Sequence, residues 1–89
     1  MAFKAIIFSV ATPPEGTDYE ASDIGIEMDL PFVPVPGMMI CPVEGDDYIE
    51  IDKVYYDPSQ ERPLNIYCCE HVDPLPDLEA KVQLGWVAH

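Results

Sequence analysis

Ten prolines and five glycines are spread through these 89 residues and leave only short segments between them. Proline has no amide N–H and fixes its own φ, so a chain cut this often has little room for long helices. It suits a domain of many short strands and turns. At this length there is one core and little else, because such a chain buries roughly 60–65% of the surface its unfolded form exposes. The reading is therefore a single domain spanning residues 1–89.

The segments between the breakers carry strand patterns. Phe3 to Val10 is apolar on both faces, with Phe3, Ala5 and Ile7 on one and Ile6, Phe8 and Val10 on the other, as in a central strand. Its single lysine and short apolar run superficially resemble a targeting signal, but Pro13 and Pro14 follow where a cleavage site would lie, and a first strand is expected. No stretch approaches the ~20 apolar residues that span a bilayer. Ile24 to Leu30 alternates strictly, with Ile24, Ile26, Met28 and Leu30 inward and Glu27 and Asp29 outward. The run Pro31-Phe32-Val33-Pro34-Val35-Pro36 is held extended and reads as an edge, a connector or a docking peptide. Met38 to Val43 is a short strand and Glu44-Gly45-Asp46-Asp47 a turn. In Tyr48 to Tyr56 the apolar phase changes after Lys53, so that Val54 and Tyr56 should join the inner face, which predicts a β-bulge near Asp52-Lys53. Leu64 to Val72 completes an antiparallel hairpin with it.

Near the carboxy terminus, Leu75, Leu78 and Val82 share a helical face, a capping aspartate is available in Asp73-Pro74-Leu75-Pro76-Asp77, and Gly85 offers a stop. Ala80, Val82, Leu84 and Trp86 also alternate as a strand would; a short helix from about Pro74 to Gln83 is the reading taken. The fold class is mainly β with one short C-terminal helix, in a small curved antiparallel sheet or partly open barrel of about five strands.

Charge narrows function more than any motif does. Seventeen Asp and Glu face four Lys and Arg, a formal net charge of −13 in a chain that is still 48% hydrophobic. That is a folded acidic module and not a disordered acidic tail. A nucleic-acid backbone or an anionic membrane would repel it, with only Lys4, Lys53, Arg62 and Lys81 to neutralise phosphates. The three cysteines, Cys41, Cys68 and Cys69, make a poor disulfide framework and point to a reducing, cytoplasmic setting.

No catalytic residues, cofactor or metal are expected. Cys41, Cys68, Cys69 and His71 have the chemistry of zinc ligands, yet vicinal residues on a strand point to opposite faces. One of Cys68 and Cys69 belongs in the core instead. A nucleophilic Cys69–His71 dyad fails on its ~7 Å separation across alternate strand positions. The carboxylates after Glu44 lack the order of a calcium loop. Phosphate loops and nucleophile elbows are absent.

The surface remains. Glu27, Asp29, Glu44, Asp46, Asp47, Glu50 and Asp52, with Asp18, Glu20 and Asp23 before them, form acidic segments that suit the basic surface of another protein. The expected function is a small non-enzymatic protein-binding module. Its size and charge are those of phage or mobile-element inhibitors that engage nucleic-acid-binding or defence proteins, a likeness of composition only. Reversing Asp46 and Asp47 to Lys is expected to leave folding nearly intact while removing partner binding. The alternative is a homo-oligomeric or small-molecule-binding protein with a pocket between subunits, built on Tyr48, Tyr55, Tyr56, Tyr67, Trp86, Phe32, Met38 and Met39. Location separates the two: aromatics exposed on one patch favour apolar association, and buried aromatics beside clustered carboxylates favour the acidic face.

Overall fold

A computed structural model describes residues 2–13, 21–69 and 75–88. The described residues form six strands, β1 (Phe3–Ala11), β2 (Ser22–Leu30), β3 (Met39–Ile40), β4 (Ile49–Tyr56), β5 (Leu64–Cys68) and β6 (Val87–Ala88), and one helix, α1 (Leu78–Gln83). The strands form one sheet in the order β3-β4-β5-β1-β2-β6, curled into a half-barrel. The mainly β, partly open barrel read from the sequence is what the chain adopts, with the short β6 as an added edge.

Pairing within the sheet is mixed. β1 runs antiparallel to β2, with Phe3 opposite Leu30 and Ala11 opposite Ser22, but parallel to β5, with Ile7 beside Ile66 and Phe8 beside Tyr67. An all-antiparallel sheet was expected, because hairpins between neighbours in sequence are the pairings local patterns reveal. The parallel pair joins strands far apart in the chain and leaves no local trace. It also places β1 and β5 at the centre, as the two apolar faces of β1 require.

The concave face holds the core: Ala5, Ile7, Ala11, Ile24, Leu30, Ile40, Ile51, Ile66, Cys68 and Trp86 are buried together. Ile26 and Met28 complete the inward row of β2 as half-buried residues packed on it. The bulge falls between Ile51 and Lys53, so Val54 continues the inner face after the extra residue. Tyr56 shares that parity but ends the strand, and it is 69% exposed. Of the proline-held connector, Pro34 is buried and Phe32, Val33 and Val35 are exposed.

The helix is shorter than expected and differently capped. Asp77 at the N-cap makes no side-chain bond to the helix. Leu78 N–H donates instead to the Thr12 hydroxyl at 3.0 Å, and Thr12 N–H donates to the Pro76 carbonyl at 2.9 Å, so the end of β1 caps α1. At the other end Gly85 N–H donates to Val82 O and Trp86 N–H to Lys81 O, a Schellman pair. That geometry needs φ of +110° at Gly85, as the sequence anticipated. The inward residue of the helix is Lys81 and not Val82, which is 49% exposed. Among the described residues no helix is long and apolar enough to cross a membrane.

Candidate functional site

Strand alternation sorts the side chains into two faces, and the outer one holds the candidate site. From β4 to β2 it presents Lys53 and Tyr55, then Asn65 and Tyr67, then Ile6 and Phe8, then Glu27 and Asp29. Phe8 and Tyr67 lie side by side in the parallel pair and stack, with centroids 5.0 Å apart and planes at 20°. Tyr55 meets Tyr67 edge-to-face at 5.5 Å and 86°. Both tyrosines are open to solvent, Tyr55 at 52% and Tyr67 at 43%. Next to them opens a concavity of about 600 Å³ whose walls include Ser9, Asp52, Lys53 and Cys69. The bulge supplies one of those walls, since the extra residue in β4 is Asp52.

The carboxylates flank this aromatic strip without merging. Glu50 and Asp52 are exposed on β4, and Glu27 and Asp29 are exposed on β2. Two strands lie between, so the flanks stand about 14 Å apart at ordinary strand spacing. Arg62, from the loop before β5, reaches across to the β2 flank. Its Nη1 donates to Asp29 Oδ1 at 2.9 Å and Met28 O at 3.0 Å, and its Nε sits 3.5 Å from Glu27 Oε2. The β2 carboxylates are thus partly neutralised by one of the few cations the chain has. On the other flank the Cys69 thiol donates to Glu50 Oε2 at 3.3 Å. That bond, with smaller contributions from burial and from the charges of Glu50 and Asp52, pushes the Cys69 pKa up and keeps it a neutral thiol.

The Asp46 side chain does not face outward. A tight turn from Val43, closed by Asp46 N–H on Val43 O at 2.9 Å with Gly45 at φ +89°, aims its side chain inward. There the carboxylate is only 2% exposed. It accepts from Lys81 Nζ, from Trp86 Nε1 at 2.8 Å and from Asp47 N–H at 2.8 Å. Lys81 also lies 5.8 Å from the centroid of the Trp86 ring. Burial raises the Asp46 pKa, but these hydrogen bonds and the Lys81 charge outweigh it, and the net shift is downward. Among the described residues no buried side-chain nitrogen or oxygen lacks a partner. The expectation of Asp46 as an outward, partner-binding carboxylate is corrected: it is the clasp between the turn and the helix. Glu44 and Asp47 in the same turn are exposed.

The cysteines divide as the alternation requires. Cys68 is buried in the core, where desolvation, aided by the neighbouring Cys69, pushes its pKa up to about 12. Cys69 is half-buried on the outer side, and Cys41 is exposed. Zinc and dyad readings that involve His71, and the acidic contributions of Asp18 and Glu20, lie outside the described residues. Among the described residues no three His, Cys, Asp or Glu side chains are placed to share a metal ion.

The molecule is a small half-barrel with an exposed aromatic strip between two acidic flanks. Comparison with known proteins finds no family model, no curated protein and no solved structure that matches it.

The aromatic strip was half visible in the sequence. The sequence offers Tyr55 and Tyr67 among the residues for apolar association, but their meeting with Phe8 on one face depends on the parallel β1–β5 pairing. Phe8 in particular was read only as one side of a central strand.

Proposed function

We propose that the chain is a non-enzymatic binding module that engages the basic surface of another protein through the outer face of its sheet. The exposed strip of Tyr55 and Tyr67 beside Phe8 by itself favours association through apolar surface; what supports a basic partner is its position between the Glu50–Asp52 and Glu27–Asp29 flanks. Exposed aromatics anchor protein interfaces, and a rim of one charge steers and selects the partner. The aromatic centre moves the reading away from a continuous acidic mimic of nucleic acid. An inhibitor of a basic nucleic-acid-binding or defence protein remains the narrower form of the same proposal.

The test is affinity capture from lysate at low and high salt with the parent and with a Tyr55→Ala/Tyr67→Ala variant. Capture of a basic protein by the parent, weakened by salt and abolished in the variant, is the expected result. Undiminished capture by the variant would move the partner surface elsewhere.

A second reading, association between copies of the chain, is favoured by one feature. Phe3, Val33, Val54, Tyr56 and Leu64 line an apolar cavity of about 500 Å³ where β1 and β5 begin and β4 ends. Loss of self-association in a Tyr56→Ser/Val33→Ser variant would support it, and a monomeric parent would remove it.

A further inference from the structure

We infer that the outer concavity takes an arginine side chain of the partner, with the guanidinium plane against the face of one of the Tyr55 and Tyr67 rings, which stand at 86° to each other, and its N–H groups toward the Asp52 carboxylate. This rests on the reading of the outer face as the partner-binding surface and names the chemistry it recognises. The concavity joins aromatic ring surface to a carboxylate, because Asp52, Tyr55 and Tyr67 all line it. Ring faces carry a negative quadrupole that attracts cations, so rings and carboxylate call for the same charge. An apolar side chain would leave Asp52 desolvated and unpaired, and an anion would meet it and Glu50 directly.

Arginine fits better than lysine for reasons of shape and hydration. Its guanidinium is flat, so it stacks on a ring while offering paired donors to a carboxylate. An ammonium is a compact point charge that holds its water more strongly and cannot stack.

Lys53 also lines the concavity, opposite Tyr67 in the β4–β5 pairing. It is exposed, and its charge opposes an incoming guanidinium. This makes a signed expectation available: removing Lys53 strengthens arginine binding, whereas a site for an anionic ligand would weaken.

The experiment titrates the intact chain with hexaarginine and with hexalysine at equal, low salt, reading both affinity and the ring signals of the tyrosines by NMR. Hexaarginine is expected to bind about tenfold more tightly, a difference typical of one stacked, carboxylate-paired guanidinium. The Tyr55 and Tyr67 signals shift with it, Asp52→Asn removes the preference, and Lys53→Ala increases the affinity. Equal affinities with the Tyr55 and Tyr67 signals still shifting would overturn the arginine assignment and leave the outer face as the basic-partner surface. Binding that leaves those signals in place, or no binding of either peptide, would overturn both. Urea midpoints of the two variants, expected to match the parent because both positions are exposed, separate loss of binding from loss of fold.

Discussion

Asp46 keeps a negative charge inside the molecule because two donors from the far end of the chain, Lys81 Nζ and Trp86 Nε1, converge on it. Asp46→Asn would leave the Lys81 ammonium buried without its counter-charge, which costs about 3–5 kcal/mol. Asp47→Lys, one residue away and exposed, should change stability by less than ~0.5 kcal/mol. Urea unfolding of the two single variants at neutral pH checks the contrast, and equal midpoints would contradict it. The pH dependence has a definite sign. The folded pKa of Asp46 lies below its ordinary value of 3.8, so its contribution is complete above that value and is lost as acid carries the pH down through the folded pKa. Asp46→Asn should flatten that acid limb. The thiols give a second residue-scale expectation: iodoacetamide should modify exposed Cys41 in the folded chain and Cys68 only after unfolding, as mass spectrometry of the digested protein would show. Modification of Cys68 in the folded chain would contradict its place in the core.

Helix α1 has six residues, too few to persist alone, and its two ends explain why it forms. Thr12→Val removes the hydroxyl that accepts from Leu78 N–H and should cost about 1 kcal/mol. Gly85→Ala forces a side chain into a left-handed backbone conformation; the added Cβ meets Ile26 Cδ1 at an ordinary 3.7 Å, so the cost of about 1–3 kcal/mol is conformational. Urea midpoints read both, and a parent-like midpoint in either would contradict the corresponding cap. Local signals account for the elements that the sequence revealed. Strict alternation marked β2, the phase change after Lys53 marked the bulge, and Gly85 marked the helix stop. What stayed hidden depends on contacts between distant segments. Thr12 caps a helix 66 positions away, and Lys81 turns inward only because Asp46 waits there. A lysine in an amphipathic pattern reads as an outward residue, so periodicity assigned Val82 the inner face.

Over the whole molecule, a formal charge of −13 has few internal partners: among the described residues Lys81 is committed to Asp46, and Arg62 to Glu27 and Asp29. On the proposed reading, the remaining field attracts the basic partner, and its association is expected to weaken with salt. Composition made that field legible from the start. The aromatic strip on the outer face was not, since it is assembled by the parallel pairing of β1 with β5. The tyrosines make the placement measurable, because Tyr55 and Tyr67 line the outer concavity while Tyr56 lines the apolar cavity. The most direct measurement is tyrosine-selective chemical labelling of the free chain and of its captured complex, read residue by residue by mass spectrometry. Protection of Tyr55 and Tyr67 in the complex, with Tyr56 still modified, is the expected result. Protection of Tyr56 with Tyr55 and Tyr67 as reactive as in the free chain would contradict a partner bound on the outer face.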